Sequence, residues 1–114
     1  MSARPRSGAA GGRAQAQVFA ALGEETRLSL LARLCGGERR SITALAKGSR
    51  LTRQAITKHL RLLESVGLVR SSRAGRELLF EFRPEPIADA QKYLGDIALE
   101  WDQTLGRLKH FVEG

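Results

Sequence analysis

Residues 51–69 read LTRQAITKHLRLLESVGLV, and the fold of the chain turns on this stretch. Thr52 stands where a helix N-cap is wanted, Ile56, Leu60 and Leu63 recur at helical spacing, and Gly67 sits at the position that closes a helix in a left-handed turn. The spacing predicts a helix from Thr52 to about Val66 with that apolar stripe buried. Helix geometry then turns Arg53, Gln54, Thr57, Lys58 and Arg61 away from the core.

Working upstream, Ser41 is suited to cap a very short helix with Ile42, Leu45 and Ala46 facing inward, and Lys47-Gly48-Ser49 supplies a tight turn before Thr52. Two helices joined in this way form a helix-turn-helix pattern. Downstream the pattern changes at Leu68. Residues 68–73 (LVRSSR) and 77–82 (ELLFEF) have strand composition, with Ala74-Gly75-Arg76 as a short turn between them, so a β-hairpin wing is expected.

The outward face of the predicted long helix carries side chains suited to nucleic acid. Arg and Lys reach guanine O6 and N7, Gln pairs bidentately with adenine, and Thr contacts a thymine methyl or a phosphate. Arg53, Gln54 and Thr57, early in the helix, are candidates for the major groove, Lys58 and Arg61 are candidates for phosphates, and Thr52 at the cap is counted with them as a DNA-binding residue. A merely solvated polar face is the alternative, against which stands a run without acids from Ser41 to Arg61. At the hairpin, Arg73 and Arg76 flank the turn and Arg70 lies further back, an arrangement suited to a minor groove or its phosphates, or simply to a solvated turn. His59 points toward the edge of the core stripe and is read as a structural hydrogen-bonding residue.

Toward the N-terminus, Val18, Phe19 and Leu22 mark a first helix from Ala14 that Gly23 ends. Glu24 and Glu25 open a second, where carboxylates suit the positive helix end, with Leu28, Leu31, Leu34 and Cys35 on the expected inner face and Gly36-Gly37 as its stop. Residues 1–13 hold Pro5, scattered arginines and glycines and no apolar periodicity, so they are expected to form a disordered basic tail. Residues 14–83 then make the winged core and residues 84–114 a C-terminal helix begun by Pro84 and Pro86.

In that last helix Ile87, Leu94, Trp101 and Leu108 are spaced by sevens, as are Ala90, Ile97, Thr104 and Phe111. Such a seam asks for a partner helix, and a helix this long, roughly 40 Å at 1.5 Å per residue, exceeds what a small domain needs for its own core. A homodimer paired through Ile87, Leu94, Ile97, Trp101 and Leu108, with help from the first helix, is the expectation; docking of the stripe on its own domain is the alternative. The fold class expected is therefore mainly α with a β-hairpin wing, a winged helix-turn-helix dimerising through its terminal helices.

Composition agrees. At 114 residues the chain has the length of one domain, and its net charge of +7 points to a polyanionic partner. Residues 1–80 hold 15 basic and 5 acidic side chains, against 4 and 7 in residues 81–114, so the positive charge belongs to the winged half. The lone Cys35 excludes an internal disulfide framework and is too little for a zinc site; it is read as a buried apolar residue, with a redox role favoured only by the neighbouring Arg33, Arg39 and Arg40. No apolar run of about 18 residues is present to cross a membrane, and no signal peptide is recognisable, so a cytoplasmic location is expected. No nucleophile elbow, phosphate loop or metalloprotease motif occurs, which argues against an enzyme and against a cofactor.

Taken together, AALGEETRLSLLARL (20–34), LTRQAITKHLRLLESVGLV (51–69) and SRAGRELLFEF (72–82) resemble the ArsR family of winged-helix repressors over roughly residues 15–112. The resemblance implies a dimer that holds an imperfect inverted repeat in double-stranded DNA and represses nearby genes until an effector lowers its affinity. The family's metal sites are not carried over. The sequence LCGGERRS around Cys35 lacks the paired cysteines, and the pattern D-x-H-x10-H-x2-E finds His110 and Glu113 but Ile97 and Leu99 where Asp and His belong. No metal site is expected; a metal-responsive repressor using His110 and Glu113 with ligands from a dimer mate, and a winged helix that docks an acidic protein, are the alternatives.

Overall fold

In a computed structural model, which describes residues 9–113, the chain forms α1 (Ala9–Leu22), α2 (Glu25–Leu34), β1 (Arg40–Ser41), α3 (Ile42–Ala46), α4 (Arg53–Ser65), β2 (Val69–Ala74), β3 (Glu77–Phe82) and α5 (Glu85–Glu113). Side-chain oxygens open three of the helices. The Glu24 carboxylate accepts from the Arg27 amide at 2.8 Å, Ser41 Oγ from Ala44 at 3.0 Å and Thr52 Oγ1 from Ala55 at 3.0 Å, each satisfying a donor the helix itself leaves open.

The end of α4 is equally well defined. Past the cap residue Val66, Gly67 adopts φ +80°, and the amides of Gly67 and Leu68 donate to the carbonyls of Glu64 and Leu63, both at 3.0 Å. This Schellman closure reverses the chain and sends Leu68, itself fully buried, back under the helix. The backbone then enters β2. Ala74 pairs with Glu77 across a loop of Gly75 and Arg76, Gly75 supplying φ +65°.

The sheet has the order β1-β3-β2, all antiparallel, with Arg40 opposite Phe80 and Ser41 opposite Leu79. Sequence reading missed β1, which is only a two-residue strand running directly into the cap of α3. It ties the start of the helix-turn-helix to the wing.

Leu30, Leu31 and Leu34 of α2, Leu45 of α3, Ile56, Leu60 and Leu63 of α4, and Phe80 of β3 form the centre of the core, joined by Val18, Ala21, Leu68, Val69 and Ala90. Complete burial of a Phe such as Phe80 is worth about 2–3 kcal/mol by transfer alone. Two expectations for α2 are corrected: Leu28 is 51% exposed, and Cys35 is an exposed cap residue just past the helix. The inner stripe is centred on Leu30, Leu31 and Leu34, which puts Leu28 on a flank, and α2 stops one residue before the cysteine.

A third correction concerns the N-terminus. The first helix begins at Ala9 rather than Ala14, so residues 9–13, read as tail, are helical, and the remainder of the expected tail lies outside the described residues. Packing against α5 offsets the poor helix preference of Gly12. A Cβ at Gly12 would stand 3.6 Å from the Tyr93 hydroxyl of α5, so α1 and α5 lie close side by side.

Candidate nucleic-acid interface

The polar face of α4 is open to solvent. Thr52, Arg53, Gln54, Lys58 and Arg61 are exposed and Thr57 is half-buried, while Ile56, Leu60 and Leu63 beneath them are fully buried. Thr52, Gln54, Ala55, Thr57 and Lys58 line a shallow open depression along the first turns of the helix. Thr52, Gln54, Thr57 and Lys58 bring hydrogen-bonding groups to it, the chemistry that reads base edges and phosphates.

The side chains differ in what holds them. Arg53 donates from Nη1 to Thr43 Oγ1 of α3 at 2.6 Å, so the guanidinium leans across the helix-turn-helix corner. Thr57 donates its hydroxyl to the Arg53 carbonyl at 2.8 Å, one turn back along the same helix. Arg61 donates to Glu64 Oε1 at 2.7 Å and lies 5.6 Å above the centre of the Phe80 ring, so it is anchored to the fold. No ion pair involves Lys58 among the described residues.

On the hairpin, Arg70, Arg73 and Arg76 are all exposed. Arg70 pairs with Glu81 across the strands at 3.0 Å, whereas Arg73 and Arg76 at the tip have no ion-pair partner among the described residues. The tip therefore presents two cations at the end of a stiff antiparallel ribbon. Lys47 and Arg50 in the turn between α3 and α4 are also exposed, and they extend the basic surface toward α3. Sequence reasoning left them out as contacts, although both lie in the stretch without acids.

Several other arginines complete the fold instead. Arg27 donates to the Ala21 carbonyl at 2.9 Å at the end of α1, and Arg33 to the Leu45 and Ala44 carbonyls at 2.6 and 3.2 Å at the end of α3. Arg40 in turn donates to the Arg33 carbonyl at 3.2 Å. Helix C-termini leave carbonyls unpaired and carry partial negative charge, so cations are favoured there. The positive half is thus part exposed candidate surface and part scaffold.

Acidic residues near the interface serve as fasteners. The Glu64 carboxyl is held below its ordinary range, first by the Ser71 hydroxyl and then by Arg61. The Arg27 amide does the same for Glu24 at the start of α2. His59, half-buried on α4, places Nδ1 4.0 Å from Glu24 Oε1 at the cap of α2.

The last helix offers a second kind of surface. Ala90 is buried and Ile87 partly so, but Leu94, Trp101, Leu105 and Leu108 are 50–59% exposed, and Phe111 and Val112 still more. Ile97 and Thr104 are half-buried. His110 and Glu113 are exposed near the end of α5, and among the described residues no group of three His, Cys, Asp or Glu side chains comes together to hold a metal. No helix among these residues is long and apolar enough to cross a membrane.

A short helix, a glycine turn, a capped second helix with an open polar face, and a basic-tipped hairpin together define a winged helix-turn-helix DNA-binding domain. A family model described as a helix-turn-helix domain matches residues 22–72. The HTH-type transcriptional regulator YuzN of Bacillus subtilis (strain 168) is 40% identical over 83 residues, covering 66% of this chain and 88% of YuzN. An ArsR-like transcriptional regulator from Rhodococcus sp. RHA1 superposes with a TM-score of 0.78 at 37% identity, over 87% of this chain and 92% of that one. A homodimeric winged helix-turn-helix DNA-binding domain from Mycobacterium bovis, a possible ArsR-family regulator, gives a TM-score of 0.64 at 26% identity, over 90% and 89% of the two chains. The chain belongs to the ArsR-like helix-turn-helix transcriptional regulators.

Proposed function

We propose that the protein is a homodimeric repressor that recognises an imperfect inverted repeat. The observation that carries this reading is the apolar face of α5, where Leu94, Trp101, Leu105 and Leu108 remain about half exposed although they share one side of the helix. Among the described residues, nothing in a single copy covers them. A second copy related by a two-fold axis covers them with the same residues of its own α5, and α1 beside it extends the contact.

Dimerisation gives the DNA reading its geometry. Two copies of α4 enter successive major grooves about 34 Å apart, so the operator carries two half-sites of opposite orientation. Arg53, Gln54 and Thr57 read bases from the first turns, Thr52 fixes the start of the helix, and Lys58 and Arg61 engage phosphates. The wing residues Arg70, Arg73 and Arg76 grip the flanking backbone. Repression is the outcome that the ArsR resemblance implies, by occupation of a promoter.

Genomic footprinting in the source organism tests the proposal, paired with transcript measurement after deletion of the gene. The expected result is a small set of protected sites that share an inverted repeat, with neighbouring transcripts rising on deletion. Protection of unrelated sequences without two-fold symmetry contradicts it.

A further inference from the structure

One polar bridge joins the recognition helix to the wing, and neither the fold nor base reading by itself accounts for it. Glu64, in the last turn of α4, uses both carboxylate oxygens: Oε1 accepts from Arg61 at 2.7 Å, and Oε2 accepts from the Ser71 hydroxyl of β2 at 2.6 Å. Arg61 in turn lies 5.6 Å above the ring of Phe80, the buried anchor of β3. Between the two ends of this bridge the chain passes through the Val66–Gly67–Leu68 reversal, where Gly67 has φ +80°. That reversal is the hinge between helix and hairpin. Glu64 and Ser71 lie on its two sides, so their bond closes a triangle whose third corner is the glycine.

The position of this brace matters because the wing is a lever. From the hinge at Gly67 to the Gly75 turn is eight residues, about 26 Å at 3.3 Å per residue, and a rotation of about 10° at the hinge moves the tip by about 4–5 Å. A displacement of that size breaks a hydrogen bond, whose donor–acceptor distance tolerates only a few tenths of an ångström. Arg73 and Arg76, the tip cations without ion-pair partners among the described residues, are the groups so displaced.

We propose that Glu64 is a positioning residue for DNA binding, which with Ser71 and Arg61 sets the angle between recognition helix and wing and so delivers Arg73 and Arg76 to the backbone beside each half-site. This rests on the operator-binding reading above. An acidic side chain on a DNA-facing helix otherwise opposes binding, because it repels phosphate. The two roles predict opposite signs for its removal: loss of the brace weakens specific binding, whereas loss of mere repulsion strengthens binding to all DNA.

The experiment uses the full chain as wild type, Glu64→Ala, Ser71→Ala and Ser71→Thr, with a duplex recovered by in vitro selection on the wild-type protein and a random-sequence duplex. Affinity is read by fluorescence anisotropy and contacts by hydroxyl-radical footprinting, after thermal melts show which variants are folded. Glu64→Ala and Ser71→Ala are expected to lose roughly tenfold in affinity for the selected duplex, about the worth of one charge-assisted hydrogen bond. They lose protection at the outer flanks and keep it in the central grooves. Ser71→Thr, which keeps the hydroxyl, retains both. Unchanged flank protection in the two alanine variants overturns the proposal, and so does tighter binding of Glu64→Ala to both duplexes. If Glu64→Ala fails to fold, the Ser71 pair decides by the same criteria. A selection in which wild type enriches no sequence defeats the operator-binding reading itself, and is seen before any variant is compared.

Discussion

Truncating the uncovered face of α5 at two places should weaken self-association by about three orders of magnitude. Leu94 and Leu108 are 50% and 55% exposed in the single chain, so about half of each side chain is left for a partner to cover. Full burial of a Leu is worth about 1.5–3 kcal/mol, so covering half of one contributes about 1 kcal/mol. A two-fold interface counts every substitution twice. The double variant Leu94→Ala/Leu108→Ala therefore loses about 4 kcal/mol of dimer stability, close to a thousandfold in the dissociation constant. Alanine is the best helix former, so α5 itself should persist.

Sedimentation equilibrium over a range of protein concentrations measures the effect, with circular dichroism as the check on helix content. Leu99→Ala is the internal control. Leu99 is 58% exposed, as open as the others, but it lies nine residues from Leu108 and hence on the opposite side of the helix. It should leave association unchanged. Equal weakening by Leu99→Ala and by the double variant, or no weakening by either, refutes the assignment of this face.

Substitution of Gly67 by Ala forces a φ of +80° on an L side chain while its Cβ meets Pro86 at an ordinary 3.5 Å, so backbone strain dominates. The expected cost is about 1–2 kcal/mol, read as a lowered melting temperature. Glu24, Glu64 and Glu85 all have carboxyls held below the ordinary 4.5, by the Arg27 amide, the Ser71 hydroxyl and the Glu85 backbone amide respectively. Depressed values in the native state mean that the unfolded chain binds protons first. Their contribution is therefore complete above pH 4.5 and is lost as pH falls below it through the native values, and Glu24→Gln should make the acid decline of stability shallower. Lys58→Ala should flatten the salt dependence of binding by a logarithmic slope of about 0.9 per copy, whereas Gln54→Ala should change base preference at one position in each half-site.

The parts of the fold that depend on local chemistry could be read from the chain. Thr52 as a cap, the stripe of Ile56, Leu60 and Leu63, and Gly67 as terminator each act within a few residues, and the structure holds them in those roles. Features decided by distant partners were not legible. The strand at Arg40 and Ser41 exists only because β3 lies beside it, and the early start of α1 goes with Gly12 lying against Tyr93 of α5. Leu28 and Cys35 fit a helical spacing as well as Leu30 does, and only the position of the neighbouring helices selects among them. The same holds for the candidate interface. Its residues were legible as types, but nothing in the order of the residues shows that Arg33 closes α3, that Arg70 meets Glu81, or that Glu64 ties Arg61 and Ser71 together.

The most direct test of the account is a binding titration at physiological salt that compares a duplex selected by the protein with the same duplex after one half-site is scrambled. The account predicts two protein chains per intact duplex and a preference of about a thousandfold or more over random DNA, the range of specific regulators. Scrambling either half-site should remove most of that preference. Equal affinity for the intact, half-scrambled and random duplexes, or saturation at one chain per duplex, contradicts a dimer whose two recognition helices read an inverted repeat.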